Sequence, residues 1–289
     1  MDFRDWTILK VLYEQKNITK TAILMHISQP ALTKRLQQME QSFGVQIVHR
    51  GRRGVHFTPQ GEYLVKCADE MLNKLQDIND HISNMDDKVT GTLRIGSSFL
   101  FSRIKLPILL KLFKDKYPDV EFHVVTGWSE QIYQVLVKQD VHIGLIRGDY
   151  KWSGGKRLLL HESLLLVSKK EIKMEDLPKL PRIDYKSDTK LKEMIDTWWS
   201  NHFSVPPLVS MTVDRSDTCK EMILNGLGYA IMPGYVLKGT NDFYTMELTD
   251  HKGEKIVRDS WMIYHEETLN LKLVSAFVEF IDSLNIEEV

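Results

Sequence analysis

From residue 59 to 86 the chain sets Leu64, Ala68, Met71, Leu75, Ile78 and Ile82 four, three, four, three and four residues apart, an a/d heptad stripe. Thr58 stands ahead of it as an N-cap and Pro59 as the first helical residue. A helix over this span is ~40 Å long at ~1.5 Å per residue, and too thinly apolar to be an ordinary core helix. Its stripe needs a partner, either the same helix of a second copy or the flank of its own chain. The helix divides the 289 residues into a short segment and a long one. Each must then build its own core, because single cores stop growing near ~250–300 residues. With 43% apolar and 27% charged residues both can do so, and disorder is not expected.

Charge separates the same two segments. Residues 1–60 carry nine Lys and Arg against four Asp and Glu, a net of +5, which leaves −6 for the rest of a chain whose total is −1. The short segment is expected to meet a polyanion. Within it, residues 3–15 read as a helix with Phe3, Trp6, Leu9 and Leu12 (or Tyr13) on one face. Residues 19–24 form a second helix and 25–27 a tight turn. Ser28 caps a third helix that runs to Phe43, with Pro30 in its first turn, where a missing donor costs little.

In that third helix Leu32, Leu36, Met39 and Phe43 make an apolar stripe for packing on the first two. The opposite face carries Gln29, Thr33, Lys34 and Gln37, which can reach base edges and phosphates from a helix laid in the major groove. The run IVHRGRRGVHF then gives two β-prone arms, 47–49 and 55–57, around a Gly-Arg-Arg-Gly tip. Arg50, Arg52 and Arg53 on such a wing are placed to touch phosphates or enter a minor groove. A basic face on a tri-helical unit also suits a protein partner, so the pattern alone leaves both readings open.

Beyond a polar hinge at 86–91 the periodicity changes. TLRIG, EFHVVT and HIGLIRG read as strands; between them the segment from Ser97 turns into a helix that ends at Tyr117-Pro118, and 129–138 is a second helix. This βαβαβ order predicts a parallel sheet with ligands at the carboxyl ends of its strands. A second set follows: LLLHESLLLVS, a helix over 188–202, the strand PLVSMTV, a helix over 216–225, GYAIMP, and a last amphipathic helix within 268–284. Arg147 after the third strand and the helix start at Ser98 are expected to bind a small anion. The alternative is that Arg147 pairs with Asp149 or another acid and Ser98 is a plain cap.

Residues 17–64 resemble the LysR-type transcriptional regulator signature, with Ala22, Ser28, Gln29, Pro30, Ala31, Glu40, Gly44, Val45, Arg50, Thr58 and Gly61 at matching positions. GTLRIG, LPILLKLFKDKYPDV and NGLGYAIMP extend the resemblance over nearly the whole chain. The departures are Phe43 before the glycine, Ile47-Val48 for the usual leucine-phenylalanine, and Gln139-Asp140-Val141-His142 for the usual Gly-x-x-Asp. His142 is either a pH-reporting group or a structural one.

The resemblance implies an α+β multidomain chain. It would hold a winged helix-turn-helix over 1–58, a linker and dimerisation helix over 59–88, and a two-lobed α/β effector domain of periplasmic-binding-protein-like (type 2) fold over 89–289. Lobe I would take about 89–161 and 266–289, and lobe II about 162–265. Double-stranded promoter DNA is the implied partner, met by Ser28 and Pro30 with the helix face and wing above. A small-molecule effector would sit between the lobes against Ser97, Ser98, Trp128, Ser129, Arg147, Ser216 and Thr218. The heptad helix would be the dimer interface, dimers would join into tetramers, and RNA polymerase would be a further partner.

Several classes are set aside. No apolar stretch approaches the ~18–20 residues that span a bilayer, and MDFRDWTILK lacks a secretory signal's order, so a cytoplasmic protein without a membrane partner is expected. Cys67 and Cys219 have no CxxC or His partner, which predicts structural thiols and no metal site. Neither a catalytic residue nor a cofactor is expected. Ser102-Arg103-Ile104-Lys105 matches S-x-x-K, but S-D-N and K-T-G are missing, as are HExxH, GxSxG, a P-loop and GxGxxG.

Overall fold

The computed structural model describes residues 2–51, 54–85, 88–240 and 242–288, and of Arg50 only the backbone. The hinge residues Asp86 and Asp87 and the wing-tip arginines 52 and 53 therefore lie outside the described residues. The chain divides into two compact units, Met1–Asp86 and Asp87–Val289.

The first unit holds α1 (Phe3–Gln15), α2 (Ile18–Leu24), α3 (Gln29–Phe43), the hairpin β1 (Val48–Gly51) and β2 (Gly54–Phe57), and α4 (Pro59–Asn84). Each helix start has a side-chain cap: Asp2, Asn17, Ser28 and Thr58 accept from Asp5, Lys20, Ala31 and Gly61 amides. Helix α1 packs on α2 and on α4, so it buries Ile8, Leu9 and Leu12 on two sides. The single stripe predicted for α1 is thereby corrected: Phe3 is exposed, and Tyr13 lies edge-on to Phe57 at 5.1 Å. Phe43 is likewise exposed at the end of α3, where it meets only the edge of the core near Trp6.

Glu40 holds the base of the wing by accepting from the amides of Ile47 (2.9 Å) and Val48 (3.3 Å). Thr58 does three things at once. Its hydroxyl donates to the carbonyl of Gln46 (2.6 Å) and accepts from the amide of Gly61 (2.9 Å), and its amide donates to the carbonyl of Ile47 (3.0 Å). Gly61 is required there because a Cβ would lie 2.1 Å from the Ile47 carbonyl oxygen. The spacing of Thr58 and Gly61 is thus the joint between wing and long helix.

The second unit runs β3 (Gly91–Ser98), α5 (Phe99–Ile104), α6 (Leu106–Lys116), β4 (Val120–Gly127), α7 (Ser129–Val137), β5 (Ile143–Arg147), β6 (Gly155–Leu160) and β7 (Leu164–Ser168). It continues with β8 (Arg182–Tyr185), α8 (Thr189–His202), β9 (Val209–Val213), α9 (Ser216–Leu224), β10 (Ala230–Pro233), β11 (Tyr244–Glu247), β12 (Ser260–Tyr264) and α10 (Lys272–Asp282). A five-stranded sheet has the order β4-β3-β5-β12-β6. The three strands of the βαβαβ pattern, β4, β3 and β5, are parallel as expected, and β12, which that pattern did not include, returns antiparallel between β5 and β6. The second layer is an antiparallel sheet β10-β7-β11, with the parallel pair β8-β9 bridged to it at Arg182 and Tyr229.

The single helix predicted to end at Tyr117-Pro118 is two helices, broken at Lys105. Pro107 supplies no amide to continue the ladder across the break. The Lys105 side chain is fully buried and donates to the Ile286 (2.6 Å) and Glu287 (3.2 Å) carbonyls. Ser102 Oγ turns the other way, to the Ser98 carbonyl at 2.9 Å, so the S-x-x-K run holds two unrelated contacts. His142 is buried with Nδ1 accepting from the Arg94 amide at 3.2 Å, a structural position. Cys219 is buried, which pushes its thiol up to about 12, and Cys67 is half-buried.

Gly61→Ala is expected to lower the stability of the first unit by about 1–3 kcal/mol or more, the range for inserting a methyl into filled space. Thermal unfolding of the full chain should show the first unit's transition moving down while that of the second stays in place.

A basic helix face and a cleft between two sheets

In the first unit α3 buries Leu32, Leu36 and Met39 and turns the other side outward. On that side Ser28, Gln29, Pro30, Lys34 and Gln37 are exposed and Thr33 is half-buried. Gln29 is tethered by the hydroxyl of Thr19 (3.3 Å), which fixes its amide at the helix start. Arg35, one position beyond Lys34, is not part of this face. It pairs with Asp5 (2.6 Å) and Asp2 (3.2 Å), and these carboxylates raise its pKa. Arg50 sits on β1 opposite Val55, at the base of the tip that Arg52 and Arg53 occupy in sequence.

Along α4 the heptad residues divide. Leu64 and Ala68 are buried in the first unit's own core, so their assignment to a dimer seam is corrected: α1 covers this half of the helix. Met71, Ile78 and Ile82 are exposed and Leu75 is half-buried, leaving an apolar strip on the second half.

In the second unit the carboxyl ends of β3, β4 and β5 face the ends of β8, β9 and β10 across a cleft of ≈ 170 Å³. Ser98, Trp128, Ser129, Arg147 and Ser216 line it, whereas Ser97 and Thr218 do not. Ser97 is fully buried in β3, with its hydroxyl turned to the Ser98 carbonyl at 3.4 Å. Thr218 is half-buried, with its amide turned to the Asp217 carboxylate at 3.3 Å. Trp128 stands edge-on to Phe99 at 5.3 Å, and together they form an aromatic wall. Ser129 Oγ accepts from the Arg147 amide at 3.0 Å.

Of the two alternatives for Arg147, pairing is what the fold adopts. Its guanidinium meets Glu162, with both side chains buried, while Asp149 pairs with Lys156 at 3.0 Å. Ser98 is not a plain cap: it makes no cap bond, and its buried Oγ has no hydrogen-bond partner among the described residues. Further cleft residues carried no sequence signal that singled them out. Arg258 pairs with Asp188, which also caps α8, and Tyr185 brings a hydroxyl whose pKa burial pushes well up, so it remains a donor. Arg258 and Asp188 are 70 residues apart, and only the fold joins them.

Residues 3–62 match the family model described as a bacterial regulatory helix-turn-helix protein of the lysR family, and residues 86–285 match the LysR substrate binding domain. The chain belongs to the LysR family of transcriptional regulators. It is 43% identical over 281 residues to the uncharacterized HTH-type transcriptional regulator YraN of Bacillus subtilis, covering 97% of both chains. It is 35% identical to YkuM of the same organism, over 100% of this chain and 99% of that one. CbnR, solved in complex with its target DNA, shares the fold at a TM-score of 0.67 and 19% identity, over 98% of this chain and 99% of that one. This LysR-type chain is therefore a DNA-binding transcriptional regulator with an effector-binding domain, and not an enzyme. No described helix is long and apolar enough to cross a membrane.

Removing the carboxylate that holds Arg147 leaves a buried cation unpaired and also strips the Tyr235 amide of its acceptor. Glu162→Ala should lower stability of the second unit by about 3–5 kcal/mol in urea unfolding. Glu162→Gln should lose less, because its amide oxygen still accepts from Tyr235.

Proposed function

We propose that α3 lies in the major groove of promoter DNA and that Gln29, Thr33, Lys34 and Gln37 read base edges there. Ser28 and Pro30 approach the backbone at the helix start, and Arg50, Arg52 and Arg53 contact phosphates. The observation that carries this is the outward polar face of α3 opposite its buried stripe. Relatives support it: CbnR is described with its target DNA.

Two copies pair through Met71, Leu75, Ile78 and Ile82 on the second half of α4, and dimers join into tetramers. Pairing sets the two reading helices at the spacing of a two-fold operator. Residues 59–88 thus link a reading domain at 1–58 to an effector domain at 89–289, with lobes divided near 161 and 266. The protein works in the cytoplasm, with RNA polymerase as the machinery it influences.

A small molecule held in the cleft by Ser98, Trp128, Ser129, Arg147 and Ser216 adjusts DNA binding. It carries negative charge, and Arg147 meets it as half of the pair with Glu162. Ser97 and Thr218 support the cleft wall from behind.

Two measurements test the proposal. Gln29→Ala or Thr33→Ala should lose about 1–3 kcal/mol of discrimination between operator and altered DNA, whereas Arg52→Ala or Arg53→Ala should weaken all sequences alike and lower the salt slope by about one. Equal losses on every sequence from all four variants would undo the division of roles. For the cleft, a deproteinised small-molecule extract of bacterial cells should raise the thermal midpoint of the full chain, and Ser98→Ala should remove most of that rise.

A further inference from the structure

The cleft contains an unusual concentration of polar atoms that the protein itself does not satisfy. Ser98 Oγ, Tyr185 Oη and Arg258 Nε are all buried without a hydrogen-bond partner among the described residues. Ser98 and Arg258 are 4% and 2% exposed. Folded proteins rarely leave buried donors unmade, and three facing one cavity point to an acceptor-bearing occupant.

The charges around these donors restrict what the occupant can be. At depth the cations are already neutralised: Glu162 holds Arg147 and Asp188 holds Arg258. Tyr185 and Arg258 therefore offer donors without offering net charge. Nearer the mouth Asp217 is shared by Arg103 at 2.8 Å and Arg215 at 3.2 Å, two guanidinium groups on one carboxylate. The exposed Lys186 and Asp214 offset one another. One positive charge is left over, and it lies at the rim.

Size narrows the class again. The cleft volume of ≈ 170 Å³ is close to that of cavities of about 150 Å³ that take a benzene-sized molecule. Phe99, Trp128 and Leu191 supply an apolar wall for a short hydrocarbon body.

We infer that the effector is a small monocarboxylate bearing a second, uncharged oxygen acceptor, a keto or hydroxyl group, which Tyr185 and Arg258 read while the carboxylate answers the excess charge at the rim. This deepens the reading of the cleft as the effector site and rests on it. Tyr185 is then a specificity-determining residue. A dicarboxylate is disfavoured because its second charge would meet Asp188 and Glu162 at depth.

The test uses the full-length protein in thermal unfolding with the straight-chain acids from propanoate to hexanoate, each beside its 2-oxo and 2-hydroxy derivative and the dicarboxylate of equal length. At one chain length or more, the oxo or hydroxy acid should half-saturate at a concentration lower by about tenfold or more than its parent, since a site built to bond an oxygen rejects the analogue that lacks it. The dicarboxylate should do no better than the parent. Tyr185→Phe should abolish the preference. Its unliganded midpoint should match wild type, because the hydroxyl has no hydrogen-bond partner to lose among the described residues.

Equal binding of parent and derivative, a preference that survives Tyr185→Phe, or a fall in the unliganded midpoint of that variant would overturn the inference. So would a panel without effect beside a cell extract that does raise the midpoint, and in that case the cleft remains the effector site. Silence from both panel and extract would overturn the effector-site reading as well.

Discussion

Two carboxylates, Glu162 buried and Asp188 half-buried, organise the second unit. Glu162 and Asp188 come from segments that lie outside the five-stranded sheet, and each holds an arginine that belongs to it or borders it, Arg147 at the end of β5 and Arg258 just before β12. Burying a charge is costly unless it is paired and bonded, so neither side of either pair is free to leave alone. The backbone reinforces this. The Arg258 amide donates to the Glu162 carbonyl at 2.6 Å, Leu164 to Ile256 at 2.8 Å and Gly148 to Asp259 at 2.8 Å. The two chain crossings between the sheets are thus bonded to one another, and one of them brings Arg258 to the cleft. The arginines that line the cleft beside these crossings, Arg147 and Arg258, are thereby present as neutralised pairs rather than bare cations.

The first unit rests on a smaller device with similar logic. Glu40 and Thr58 satisfy amides and carbonyls at the base of the wing that a hairpin so short leaves open. Gly61 then lets α4 start hard against the Ile47 carbonyl. Positions that read as family signature have a local physical cause: polar closure of a joint that apolar packing alone would leave unsatisfied.

How far the sequence disclosed these features depends on the range of the interactions. Helices α2, α3 and α4 and the caps of the last two were legible because the signals are local: Ser28 before Pro30, Thr58 before Pro59, stripes at helical spacing; the Asn17 cap of α2 went unread. The two-sided burial of α1 was not, since α1 packs on α4 as well as on the other two helices, and α4 lies more than forty residues further along the chain. The antiparallel return of β12, and the strands β8 and β11, have partners far along the chain and short apolar patterns, so nothing nearby announces them. The run LLLHESLLLVS looks like one apolar stretch, yet Glu162 in its middle marks the passage from one sheet to the other. The cleft was legible to the extent that strand ends and helix starts were. Tyr185, Asp188 and Arg258 were hidden because their importance lies in what they touch, or fail to touch.

The uninterrupted course of α4 has a mechanical corollary. Its first half is locked into the core that carries α3, through Leu64 and Ala68, and its second half keeps an exposed apolar strip, with no proline or glycine between them. A rod of this kind has no joint at which rotation can be absorbed. Since successive residues stand about 100° apart around a helix, a partner that engaged this strip one residue further along would meet α4 on a face turned by more than a quarter turn relative to the core at its other end.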